Sequence, residues 1–369
     1  MTVAIQLLIG IGAICGVSTV LAIITVIADA TIANYGDVKI RINDDKEVVV
    51  SGGRPLLGSL MEQKIFIPSA CGGRGSCGLC KVKVTSDAGD YLPTELPWIS
   101  EEEKKQNIRL SCQLKIKKDI AIQIPEELFN VKEYITEVAS LRDLTYDIKE
   151  ATLKLIEPGE IKLRAGQYIQ FQVPEYELSK ESIYRAYSVA SQPSVTDRVE
   201  LEIRLVPNGI CTTYVFNHLK EGERITINGP YGEFFLRESE REIVFIAGGS
   251  GMAPIKAILY DMREKGIKRK ATYFFGARAV KDLFLVEEMR ELESSLEGFT
   301  FIPALSEPSE SDRWEGETGL ITEVLDRHIG TGDDTEAYLC GSPGMIDASV
   351  KVLTEKGIPE ELIYYDKFA

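Results

Sequence analysis

Histidine is nearly missing from this 369-residue chain; only His218 and His328 occur. That scarcity works against Ser-His-Asp and Cys-His hydrolytic schemes, and no such arrangement is indicated. Positive charge is short as well. The chain has 42 Lys and Arg against 57 Asp and Glu, a net charge of −15 and a pI near 4.9. A nucleic-acid-binding protein wants a basic face, so no nucleic-acid partner is expected. Acidic runs such as Glu101-Glu102-Glu103 read as solvated surface. No internal repeat or low-complexity tract is evident. Cysteine is present, but its pattern argues against a disulfide framework. Seven residues occur, at 15, 71, 77, 80, 112, 211 and 340, an odd count with three crowded together, which in a reducing compartment points to metal.

The first 28 residues contain no charged side chain. As a helix, residues 3–28 would run roughly 39 Å, enough to cross a hydrocarbon core of ~30 Å with tilt. The alternative is a signal peptide, since Ala28-Asp29-Ala30 resembles a cleavage site. The apolar run is too long for that, and nothing basic precedes it. A retained single-pass anchor is expected at 1–28. Lys39 and Arg41, the first basic residues, favour a cytoplasmic C-terminal side. Gly12 and Gly16 have the spacing that lets a second membrane helix approach closely.

The rest of the chain divides into three patterns. Residues 37–50 alternate polar and apolar around Asn43-Asp44-Asp45, as in a β-hairpin. A helix at 55–63, strands at 81–85 and 120–124, and the cysteine-rich loop complete an α+β unit at 36–129. Residues 130–238 read as short strands broken by Gly, Pro and polar turns, with one helix at 212–218. An antiparallel β-barrel is expected there. From 240 to 369, strands (243–247, 271–275, 300–305, 336–340) alternate with helices (254–264, 283–294, 318–328, 345–356). That alternation predicts a doubly wound α/β domain.

The strongest chemical signal is Cys71-Gly72-Gly73-Arg74-Gly75-Ser76-Cys77-Gly78-Leu79-Cys80. It places three thiolates on one glycine-rich loop, and Cys112 supplies a fourth from a distance. Four thiolates suit a [2Fe–2S] cluster, and the glycines permit positive-φ turns that aim sulfurs and backbone N–H groups inward. The C-x5-C-x2-C spacing departs by one residue from the plant-type ferredoxin pattern. Zinc is the alternative for four cysteines, but it normally uses two C-x2-C knuckles, and Cys112 has no such neighbour. Two histidines far from the loop argue against a Rieske centre.

Three further stretches point to nucleotides. Arg185, Tyr187 and Ser188 open a barrel strand and could meet a flavin's phosphate, ring face and N5 edge; an ordinary strand with one exposed Arg is the alternative. Gly209-Ile210-Cys211-Thr212-Thr213 puts hydroxyls at a helix start suited to phosphate, with Cys211 read as a buried apolar residue. Gly248, Gly249 and Gly251 lie between a buried strand and a helix opened by Pro254, where close approach of a pyrophosphate is allowed. The stretch is not a true G-x-G-x-x-G, and no acidic residue follows at the ribose-reading distance. Cys340-Gly341 falls at the carboxyl end of another strand, where open α/β sheets bind ligands.

Taken in order, these residues resemble the family of F subunits of sodium-translocating NADH:quinone oxidoreductases over nearly the whole chain. The likeness rests on the cysteine loop with its x5 spacing, Leu92-Pro93-Thr94-Glu95-Leu96, Arg185-Ala186-Tyr187-Ser188 and Gly229-Pro230-Tyr231-Gly232-Glu233-Phe234-Phe235. It continues through Gly248 to Pro254, Tyr273-Phe274-Phe275-Gly276-Ala277-Arg278 and Asp366-Lys367-Phe368-Ala369. The flavin part is related more widely to ferredoxin–NADP reductases. The segment between Val173 and Arg185 is shorter than in the respiratory family. The resemblance implies FAD, and NADH as hydride donor. It places Arg185, Tyr187 and Ser188 at the flavin, Thr212 and Thr213 near its phosphates, and Gly249 and Gly251 on the dinucleotide loop. Cys340 falls beside the hydride-transfer centre, and Phe368 over the flavin ring. It implies an NADH:acceptor oxidoreductase passing electrons to membrane subunits and, indirectly, to quinone. A reductase feeding an oxygenase, and a non-catalytic carrier subunit, are the alternatives.

Overall fold

A computed structural model describes residues 2–32 and 35–368. Met1 and Ala369, the end residues of the first and last expected domains, lie outside the described residues. Helix α1 (Thr2–Ile32) contains Ile9–Val26, an uncharged apolar stretch long enough to cross a membrane and exposed throughout. Among the described residues it is the one helix with that property. The remaining chain forms two units. One is Met1–Ile67 with Gly73–Phe129, and the other is Pro68–Gly72 with Asn130–Ala369.

In the first unit, β1 (Asp37–Ile42) and β2 (Lys46–Ser51) form the expected hairpin. Asn43 and Asp44 turn it in the left-handed region that Asn and Asp tolerate. Alternation in β1 buries Val38, Ile40 and Ile42. Helix α2 (Leu56–Glu62) presses Leu56, Leu57 and Leu60 against them. Strands β3 (Lys81–Val84), β4 (Ile108–Leu110) and β5 (Ile120–Gln123) complete a sheet ordered β2-β1-β5-β3-β4. Helix α3 (Glu101–Lys105) begins with a capping box, Ser100 and Glu103 each satisfying the other's N–H.

Arg109 and Glu95 form an ion pair inside this unit, 1% and 0% exposed. The carboxylate receives Arg109 Nε at 3.0 Å and Nη2 at 2.7 Å, plus the N–H groups of Leu110 and Leu92. Arg109 also donates to the carbonyls of Ala88, Gly89 and Asp90. Burial pushes the Glu95 carboxyl up, but the guanidinium and the two N–H donors outweigh it and leave it below its usual range.

The second unit opens with strands β6 (Lys132–Asp143), β7 (Ile148–Glu157), β8 (Tyr168–Val173), β9 (Ile183–Ser188) and β10 (Arg198–Arg204). Helix α4 (Ile210–Asn217) and β11 (Arg224–Tyr231) follow. The sheet runs β10-β7-β6-β11-β8-β9, and a bridge between Val189 and Leu201 closes it into a barrel. Leu153, Ile169, Phe171, Leu201 and Ile227 fill the interior.

Then come β12 (Glu242–Gly248), α5 (Met252–Lys265), β13 (Ala271–Ala277), α6 (Val286–Ser295), β14 (Phe299–Leu305) and β15 (Glu317–Thr318). The chain ends with α7 (Ile321–His328), β16 (Thr335–Gly341), α8 (Pro343–Glu355) and β17 (Ile363–Lys367). All six strands are parallel, ordered β15-β14-β13-β12-β16-β17. Alternation divides the core cleanly. Phe245, Tyr273, Phe275 and Tyr338 meet α5 and α6; Val244, Ile246, Phe274 and Leu339 meet α7 and α8. Strand order reverses between β12 and β16, which makes a crevice at their carboxyl ends.

Besides the additional short elements α3, β4 and β15, three elements differ from the sequence reading. Strand β9 starts at Ile183, so Arg185 lies inside it, opposite Phe171. Helix α7 begins at Ile321, because Glu317 and Thr318 pair with β14 and Gly319 turns at φ +107°. Strand β17 is additional to the expected strands; its pairing with β16 creates it.

Glu95→Ala should destabilise the first unit by roughly 3–5 kcal/mol, since it leaves Arg109 buried and unpaired. Urea unfolding followed by Trp98 fluorescence in a Trp314→Phe background measures this. The double variant Glu95→Leu with Arg109→Met should lose less than the single one.

Candidate functional site

Cys77 lies on the glycine loop, Cys80 closes it just before β3, and Cys112 follows β4. Cys80 and Cys112 are buried. Ser111 ties their segments together, its N–H and hydroxyl both donating to the Cys80 carbonyl at 2.8 and 2.9 Å. Their thiols meet. Hydrogen bonding to Cys112, together with burial, pushes the Cys80 thiol well up. Gly75 and Gly78 adopt φ of +73° and +68°, and side chains there would collide. A Cβ on Gly75 would sit 2.7 Å from Gln113 Nε2, and one on Gly78 2.7 Å from Trp98 Cε3. Gln113 Nε2 donates to Cys112 Sγ at 3.4 Å.

Among the described residues, no three His, Cys, Asp or Glu side chains gather closely enough to enclose one ion. Two irons divide four thiolates into pairs, a requirement that Cys80 and Cys112 meet. Cys80 and Cys112 thus fit one half of a [2Fe–2S] donor set, and metal binding would remove the proton that the thiol pair holds. Cys71 lies on the Pro68–Gly72 segment.

On β9, Arg185 and Tyr187 are two residues apart and share one face. Tyr187 bonds to the Cys211 thiol, and its ring meets Phe171 edge-on. Burial pushes Cys211 up to about 12, against smaller opposing effects of the Tyr187 hydroxyl and the Arg185 charge. Cys211 is thus a buried thiol hydrogen-bonded to Tyr187. Ser188 is buried at the strand's end. Gly209 is the N-cap of α4 and brings no side chain to the first-turn N–H groups. The Thr212 hydroxyl is used inside its own turn, receiving the Val206 N–H at 3.1 Å and facing the carbonyls of Val206 and Gly209 at 3.3 Å. Thr212 thereby shapes the entry to α4.

A cavity of about 560 Å³ occupies the crevice at the carboxyl ends of β12 and β16. Gly248, Gly249, Gly276, Ser342 and Met345 line it. A side chain on Gly251 would strike the Cys340 carbonyl, so only glycine lets the β12–α5 loop pass β16. Ser342 caps α8, its hydroxyl accepting the Met345 N–H. These are the features a dinucleotide needs: a close backbone and helix N-termini. Arg204, Arg278, Ser306 and Asp147 also line the cavity. Arg278 ends the Tyr273–Arg278 motif, at the carboxyl end of β13. Arg204 and Asp147, paired at 2.9 Å, come from separate parts of the barrel and carry no local signal.

Cys340 is fully buried on β16, in register with Asp366 of β17. Burial pushes its thiol up, and the carboxyls of Asp366 and Glu202 add to this. Burial alone raises Asp366 to about 6. The Phe368 N–H donates to the Gly341 carbonyl at 2.8 Å, which fixes the terminal aromatic next to Cys340.

Three family descriptions match in chain order. They are a 2Fe-2S iron-sulfur cluster binding domain over 40–117, an oxidoreductase FAD-binding domain over 136–236 and an oxidoreductase NAD-binding domain over 245–351. The cofactors are therefore [2Fe–2S], FAD and NAD. Among solved structures, Amycolatopsis cytochrome P450 reductase GcoB covers 90% of this chain and 98% of its own, with TM-score 0.73 and 25% identity. The ferredoxin reductase in carbazole 1,9a-dioxygenase gives TM-score 0.69 and 26% identity over the same shares. Curated relatives described as the F subunit of Na(+)-translocating NADH-quinone reductase are more similar. That of Neisseria gonorrhoeae is 39% identical over 92% of this chain and 94% of its own. That of Serratia proteamaculans is 35% identical over 98% and 99%. With three cofactor domains in matching order and likeness running almost end to end, the chain belongs to the family of Na(+)-translocating NADH-quinone reductase F subunits.

Proposed function

We propose that this chain is the NADH-oxidising subunit of a multisubunit membrane quinone reductase, handing electrons to partner subunits at the membrane. One observation carries the reading: an apolar helix and three cofactor domains stand in one chain whose relatives are 35–39% identical over nearly its whole length. In this reading 1–28 anchors the chain in the cell's inner membrane by a single pass, with the remaining domains cytoplasmic. Residues 36–129 carry the cluster, 130–238 the flavin and 240–369 the nucleotide. Any ion movement belongs to the membrane partners.

Bound FAD would supply the chemistry that links two-electron hydride transfer from NADH to one-electron transfer to the [2Fe–2S] group. The chain's own residues bind, orient and shield. Cys71, Cys77, Cys80 and Cys112 would hold the irons, and the buried Glu95–Arg109 pair keeps the Cys112 segment in place. Arg185 would supply positive charge to the flavin phosphates, Tyr187 would meet the ring and Ser188 its edge, while α4 from Gly209 through Thr213 would receive a phosphate. Gly248, Gly249 and Gly251 admit the nicotinamide dinucleotide. Phe368 would cover the flavin ring and give way to nicotinamide, and the buried Cys340 would lie beside the hydride-transfer centre. The oxygenase-reductase alternative shares the layout of the two solved structures, but at 25–26% identity; α1 also favours a membrane partner.

Cys80→Ser and Cys112→Ser should each lower bound iron roughly tenfold or more. NADH oxidation with ferricyanide, drawing directly on the flavin, should persist, while quinone reduction in the assembled membrane complex stops. Unchanged iron content would overturn the assignment. Asp366 makes a second prediction. Nicotinamide gains positive charge as its hydride leaves, so an ionised Asp366 favours the step. Flavin reduction measured by stopped flow should accelerate as pH rises through about 6, and Asp366→Asn should flatten that rise.

A further inference from the structure

The amide of Gln113 lies between two fixed partners. Its Nε2 donates to Cys112 Sγ at 3.4 Å, and its Oε1 accepts the Thr94 hydroxyl at 2.9 Å. A thiolate sulfur can only accept, so the nitrogen must face Cys112 and the oxygen is left for Thr94. Thr94 is itself held. The next residue, Glu95, is locked in the core by Arg109 and by the N–H groups of Leu110 and Leu92. From the other side, Gly75 leaves room for the amide, since a Cβ there would reach within 2.7 Å of Nε2 and 2.9 Å of Cδ. Three segments far apart in sequence thus converge on one N–H···S contact.

We propose that Gln113 sets the reduction potential of the cluster by donating a hydrogen bond to the Cys112 sulfur, and that Thr94 is the positioning residue that aims it. The inference rests on Cys112 being a cluster ligand. One-electron reduction adds negative charge shared with the sulfurs, so a donor there stabilises the reduced form and raises the potential. Thr94 acts only through the amide. Without its hydroxyl, Gln113 is free to turn away.

The test is an EPR-monitored redox titration of the full-length holoprotein in detergent, with cluster content measured by spin count and iron analysis. Gln113→Leu should move the equilibrium about tenfold toward the oxidised cluster, about 59 mV lower for a one-electron couple. Gln113→Glu, acceptor-only when ionised, should fall at least as far. Thr94→Val should fall less in the same direction, and Thr94→Ser should restore the wild-type value. A merely structural role would lower cluster content without shifting the potential. Equal potentials for wild type and Gln113→Leu at full cluster content, or Thr94→Val matching Thr94→Ser, would overturn the inference alone. If Gln113→Leu fails to take up cluster, the two Thr94 variants decide the question. If Cys112→Ser keeps an unchanged cluster signal, the ligand assignment falls, and this inference with it.

Discussion

Glu95 carries its charge in the middle of the first unit, and the segment bearing Cys112 depends on how that charge is held. Taking a carboxylate and a guanidinium out of water costs several kcal/mol each, recovered only when geometry and hydrogen bonding are nearly complete. Here they are. Four donors reach Glu95, and Arg109 also serves three carbonyls of the 88–90 turn beneath the ring of Tyr91. The turn cannot lift without leaving a bare charge behind. Because Arg109 lies in β4 and Ser111 binds the Cys80 carbonyl, holding the turn also holds two thiols at one spacing.

The second unit solves a different problem: admitting a large, charged nucleotide without losing its core. The parallel sheet is buried on both faces, so ligand space opens only at strand ends, where order reverses between β12 and β16. Glycine at 251 brings the loop within reach of β16. Where α5 packs against the barrel, Lys256 is buried at 3.5–3.8 Å from Glu150, Glu200, Glu202 and Glu288. Burial pushes Glu202 up to about 7, against the pull of Lys256. This ionic knot joins α5, the helix that follows the dinucleotide loop, to β7, β10 and α6.

Much of this was legible in residue order, for physical reasons. Alternation in residues 37–50 gives a half-buried hairpin because period two matches the pleat. Glycines between closely spaced cysteines announce a loop that must bend around a ligand. Strand–helix alternation after residue 240 leaves little besides a parallel sheet. What escaped depends on contacts distant in sequence. Strand β17 exists because β16 offers it an edge. Nothing near Thr212 says that its hydroxyl accepts the Val206 N–H. Lys256 sits in an ordinary helical stretch, and its four carboxylates come from β7, β10 and α6. Arg204 reaches the cavity only because the barrel folds it there.

The central claim is the proposed ordered relay, from NADH to the flavin and then to the iron-sulfur cluster. Anaerobic stopped flow of the full-length holoprotein with NADH, paired with freeze-quench EPR, tests it most directly. Flavin absorbance should bleach first, with the reduced-cluster signal rising afterwards at a rate independent of NADH concentration. A cluster signal that precedes flavin bleaching, or that never appears while the flavin is reduced, would contradict the account.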